Sequence, residues 1–153
     1  MLRPGWYLPD TDWFDQLPNA PQLDEDGQAV IDQLAQMLTN DPGVGPAVTV
    51  AMTHVILLAV EHLGDTMTHA AALHDLAELA RLLCGLNLAQ AHLTQTIQRI
   101  ASNTDVHAYP GTAEIPAEAL RAITDSLSAA GACSELLAGH LKEAHLLLHG
   151  LTQ

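Results

Sequence analysis

Two stretches in the second half of the chain repeat their apolar residues at alternating three- and four-residue spacing, a period that allows little other than long helices. Leu76, Leu79, Leu83, Leu86, Gln90, Leu93, Ile97 and Ile100 form the first; Leu120, Ile123, Leu127, Ala130, Ser134, Leu137, Leu141, Ala144, Leu148 and Leu151 form the second. Residues so spaced share one face of a helix, whereas a strand needs a period of two. The residues between them, 103–113, contain the turn signal Tyr109-Pro110-Gly111, and Pro116 suits the start of the next helix. Two seams of similar length joined by a short loop predict a long antiparallel helical hairpin. Each seam keeps its phase across its glycine, Gly85 or Gly131, so both helices are expected to run unbroken, although an interior glycine costs about 1 kcal/mol relative to alanine. Folding the hairpin about residue 108 sets the two glycines opposite each other, with Cys84 and Cys133 at the same level and Cys84 on the outer side of its helix.

In the first half, Asp24, Glu25 and Asp26 supply acids at the positive end of a helix over 23–40, whose apolar stripe is Val30, Ile31, Leu34, Met37 and Leu38. Asn40-Asp41-Pro42-Gly43 ends it. A second helix starts at Pro46 and is expected to reach Leu63; residues 48–60 are apolar on nearly every side, the pattern of a central buried helix. After Gly64, Asp65 or Thr66 is the expected cap of the next helix. Residues 1–22 have four prolines and no helical period, yet hold Trp6, Tyr7, Trp13 and Phe14, four of the five aromatics. Such side chains gain too much from burial to suit a disordered tail, so an ordered N-terminal arm is expected. The predicted architecture is all-α: a four-helix bundle built on a long antiparallel hairpin, one domain over 23–153 preceded by the arm.

Composition narrows the function more by exclusion than by indication. Five basic residues stand against 18 acids, a formal net charge of −13. The basic footprint needed to bind phosphates is missing, which argues against nucleic acid and against an anionic membrane surface as partners. The start of the chain has no cationic segment followed by an apolar run, and the most apolar window, residues 47–60, is short for a bilayer and carries His54. A cytoplasmic protein with no membrane partner is the expectation. Two cysteines without CxxC spacing indicate neither a disulfide framework nor a zinc module.

No motif with a catalytic mechanism is present. Paired Glu-x-x-His on two helices, His-Glu-x-x-His, a glycine-rich phosphate loop and the Ser or Cys nucleophile signatures are all missing. Gly139-His140-Leu141-Lys142-Glu143 resembles the histidine segment of phosphorelay transfer domains over five residues, but Lys142 comes one position early and Glu143 stands where a small residue belongs. The nine histidines are the unusual feature. Six of them, His62, His69, His74, His140, His145 and His149, fall near one end of the expected bundle. Glu61, Asp65, His69, His145 and His149 are candidate ligands there, a nitrogen and oxygen set suited to zinc, iron or manganese, with His69 pointing most directly inward.

Two readings follow. In the first, the chain is a non-catalytic helical interaction protein that self-associates as a homodimer or docks on another protein, with no cofactor. Its interface would use Leu86, Leu93, Ile97, Ile100, Leu120, Ile123 and Leu127, because two shorter helices cannot cover the whole hairpin, together with Trp6 and Trp13 of the arm. In the second, it is a metal- or small-ligand-binding bundle using the histidine-rich end. The first accounts for more of the sequence.

Overall fold

The computed structural model describes residues 25–40 and 45–151; the aromatic arm, with Trp6 and Trp13, lies outside the described residues. The architecture is all-helical: α1 Glu25–Asn40, α2 Pro46–Ala70, a short 3-10 turn at Ala71–Leu73, α3 Leu76–Asp105, a second 3-10 turn at Thr112–Glu114, and α4 Ala117–Leu151. Contacts divide the chain between Asp75 and Leu76 into two compact units, one carrying α1 and α2, the other α3 and α4.

In the first unit, α1 begins with Glu25 and Asp26 in its first turn, acids that favour the positive end of a helix. Pro46 occupies the first turn of α2, as expected, behind Gly45 in extended conformation. The far end of α2 differs from expectation: the helix runs through Gly64 and Asp65 to Ala70. One interior glycine is too small a penalty to end a helix. The stronger start signal lies further on, where Asp75-Leu76-Ala77-Glu78 has capping-box spacing immediately before α3. The central buried role inferred for α2 is also corrected, since Val50, Val55, Ile56, Leu57, Leu58 and Val60 are 37–65% exposed.

In the second unit, α3 and α4 pack together along their length and run unbroken through Gly85 and Gly131. Their packed seam is not the Leu/Ile seam read from the sequence. The buried residues of α3 are Ala80, Cys84, Asn87, Leu88, Ala91, Thr94, Ala101 and Thr104; all but Leu88 and Thr104 stand one position on from Leu79, Leu83, Leu86, Gln90, Leu93 and Ile100. One position rotates a helix by about 100°. On α4 the buried residues are Leu120, Gly131, Ala138 and His145, so part of the expected seam is kept and the rest turned. Small side chains bring the two backbones close enough for Asn87 Nδ2 to donate to the Ala138 carbonyl at 2.6 Å. Cys84 is accordingly buried, not on the outer side, while Cys133 is exposed; both are free thiols.

The register differs as well. Asn87 meets Ala138 and Ala80 meets His145, both pairs centred on Thr112–Ala113 and not on residue 108. Gly131 therefore lies against Gln98 and Ile97, not Gly85; a Cβ there would come within 3.2 Å of Gln98 Cγ. The end of α3 also differs from expectation, extending past Ser102 to Asp105. Ala108 N–H donates to the Asn103 carbonyl at 2.9 Å and His107 N–H to the Thr104 carbonyl at 3.1 Å, with His107 at φ 57°. This is a Schellman stop with histidine in the left-handed position that glycine usually fills.

Candidate interaction surface

Polar residues in the α3–α4 seam are accommodated by local bonds. Thr94, Thr104 and Thr124 each donate their hydroxyl to the carbonyl four residues earlier, at 2.8, 2.8 and 3.1 Å. With the hydroxyl satisfied by its own helix, the rest of the side chain fills the seam as a small residue would. Gln98 reaches across to Glu135. Burial pushes the Cys84 thiol above its ordinary range.

Apart from Leu88 and Leu120, the large apolar residues of the pair are half-buried or exposed. Leu93 and Ile100 are 38% and 40% exposed and Ile123 is 44% exposed, while Leu86, Ile97 and Leu127 are half-buried. Leu120 departs from the expected interface set: it is buried within the α3–α4 contact. Sequence reading missed Leu136, Leu137, Leu146 and Leu147, which are 49–72% exposed on α4. An exposed leucine by itself is ordinary; a helix pair that buries Ala, Asn and Thr while exposing this many large apolar side chains is not.

Of the candidate metal ligands, Glu61, Asp65 and His69 lie on α2 and His145 and His149 on α4. Glu61, Asp65 and His69 are exposed on α2, and the His69 ring donates from Nδ1 to the Asp65 carbonyl at 2.8 Å. The expectation that His69 points inward is thus corrected; His145, on α4, is the buried histidine. Its Nδ1–H donates to the Ala80 carbonyl at 2.7 Å. The His149 ring stacks beside it, centroids 5.8 Å apart and planes 24° from parallel. Among the described residues, no group of three His, Cys, Asp or Glu side chains could hold a metal. An open, mostly polar groove lined by Gln98, Ser102, Asp105, Thr124 and Ser128 runs between α3 and α4; it holds neither histidine nor cysteine.

No protein-family model matches the chain, and neither the curated proteins nor the solved structures contain a significant match to it.

Proposed function

We propose that this chain is a non-catalytic helical interaction protein acting as a homodimer. In this reading α3 and α4 form one long antiparallel hairpin. Two hairpins, one from each copy, complete a four-helix bundle about a two-fold axis, as closed symmetric association requires. Leu86, Leu93, Ile97, Ile100, Ile123 and Leu127 face the partner, while Leu120 supports the hairpin from inside. The observation that carries the reading is the allocation of side chains: Ala, Asn and Thr, with Leu88 and Leu120, are buried within the pair, while most of its large apolar side chains stay half-buried or exposed. That surface has a reason to exist only if something apolar covers it.

The cell interior is the proposed compartment. Although α2 over Pro46–His69 is long and apolar enough to cross a membrane, with mean hydropathy 1.6, no Lys, Arg, Trp, Tyr or Phe occurs between Phe14 and Arg81. Basic and aromatic anchors normally flank such a helix on one side or both. Light scattering at high micromolar concentration tests the assignment: twice the 16.3 kDa chain mass is expected, and a strictly single-chain mass overturns it.

A further inference from the structure

The apolar surface of α2 is interrupted in one place. At about 100° per residue, His54, Glu61 and Asp65 fall within about 40° of one another, and His69 and His62 extend the stripe to about 100°. Every titratable group of α2 lies on this stripe, and the remainder of the helix surface is apolar or neutral. His54 and Glu61 are seven residues apart, two turns along the same face, with Leu57 and Leu58 midway between them and 54% and 65% exposed.

We infer that α2 pairs with α2 of a second copy, antiparallel, about a two-fold axis passing between Leu57 and Leu58. The inference rests on the proposed self-association and names one contact within it. Polar pairing of an imidazole with a carboxylate selects the occupant and the direction together. An axis at that point sets His54 beside the partner's Glu61 and Glu61 beside the partner's His54, so one surface is complementary to itself, as an isologous interface must be. Asp65 then falls at the height of the partner's Val50, near the first turn of that helix, where the macrodipole favours an acid. A parallel pair would instead place two Glu61 and two Asp65 side by side, with the like-charge penalty doubled in a chain already at −13. Leu57 and Leu58 lie nearest the axis, each level with the other residue of the pair in the second copy.

A lipid bilayer fits the same helix less well. The uncharged run Pro46–Val60 rises about 22 Å at 1.5 Å per residue, against about 30 Å of hydrocarbon, and completing the span would draw Glu61 and Asp65 into lipid.

Cysteine cross-linking of the full-length chain tests the pairing. In a Cys84→Ala, Cys133→Ser background, Leu57→Cys or Leu58→Cys should form a covalent dimer on mild oxidation. Thr68→Cys should not, because antiparallel copies of residue 68 stand about 31 Å apart and a disulfide needs Cα atoms within about 7 Å. Cross-linking at both levels would overturn the antiparallel direction. No cross-link at 57 or 58 in a protein that light scattering shows to be dimeric would overturn the α2 contact and leave the wider self-association standing. A single-chain mass would remove both. Flotation with phosphatidylcholine vesicles without detergent would overturn the pairing in favour of lipid.

Discussion

The α3–α4 pair and α2 are both rich in apolar residues, yet they use them in opposite ways. In the pair, small side chains make much of the contact: Ala91 and Ala138 are fully buried and Gly131 lies against Gln98, while of the leucines only Leu88 and Leu120 are buried. In α2 the large side chains point outward with no described residue of the helix buried. The comparison teaches that apolar content does not locate a core. Close packing of two helices is governed by how near the backbones can come, and residues without bulk allow the nearest approach. What remains apolar after that contact is made is the surface on which the proposed self-association rests.

The largest difference expected between well-packed and open positions is in thiol reactivity. Cys84 is buried and its thiol held above the ordinary range, while Cys133 is exposed on α4. With a disulfide reagent at neutral pH, Cys133 should react at once. Cys84 should react more slowly by on the order of a thousandfold, since it waits for the packed pair to open. Because the folded state holds the Cys84 proton more tightly than the unfolded chain does, its contribution to stability is complete at neutral pH. It falls away as pH rises through the folded thiol's range. Two equally fast thiols would mean that the seam is not closed at Cys84.

The same substitution placed in each region sharpens the contrast. Ala138→Leu inserts bulk where no space is exposed and where the backbone accepts a bond from Asn87, so a loss of about 3 kcal/mol is expected by denaturant unfolding. Ala59→Leu, on the exposed surface of α2 away from the His54 stripe, should change stability by less than about 0.5 kcal/mol. Equal losses would show that α2 is as tightly packed as α4.

Much of this was legible before any coordinates. Heptad spacing disclosed α3 and α4 and their continuity through glycine, because periodicity survives a weak residue. The helix starts at Pro46 and after Pro116 followed from backbone chemistry local to those residues. The face of contact was not legible, because hydrophobicity ranks Leu86 above Asn87 whereas close approach ranks them the other way. The end of α3 was hidden for a different reason: His107 takes a left-handed conformation that sequence patterns assign to glycine. His145 could have been singled out by continuing the Gly131, Ala138 spacing another seven residues.

At that position a smaller effect is expected. His145→Ala removes a nearly buried ring and its bond to Ala80, which should lower stability by about 2 kcal/mol. His140→Ala should change it by less than about 0.5 kcal/mol, since the ring is 77% exposed and its 3.5 Å approach to Glu143 is a surface contact. Comparable losses from the two variants would contradict the burial of His145.

The smallest effect separates the regions by sign. Gly64 and Gly131 are both interior to helices, so replacing either by alanine recovers about 1 kcal/mol of backbone propensity. At Gly64 nothing lies within 4 Å of the new methyl group, and the full gain should appear as a melting temperature higher by about 2 to 4 °C. At Gly131 the methyl would sit 3.2 Å from Gln98 Cγ, on a side chain already engaged with Glu135 and unable to withdraw without losing that bond. The propensity gain is then offset by the contact, and Gly131→Ala should show no rise or a small fall. Differential scanning calorimetry of the two variants decides between them. If both rise equally, α3 and α4 do not approach closely at Gly131, and the account of a seam governed by small residues fails where it is most exposed to test.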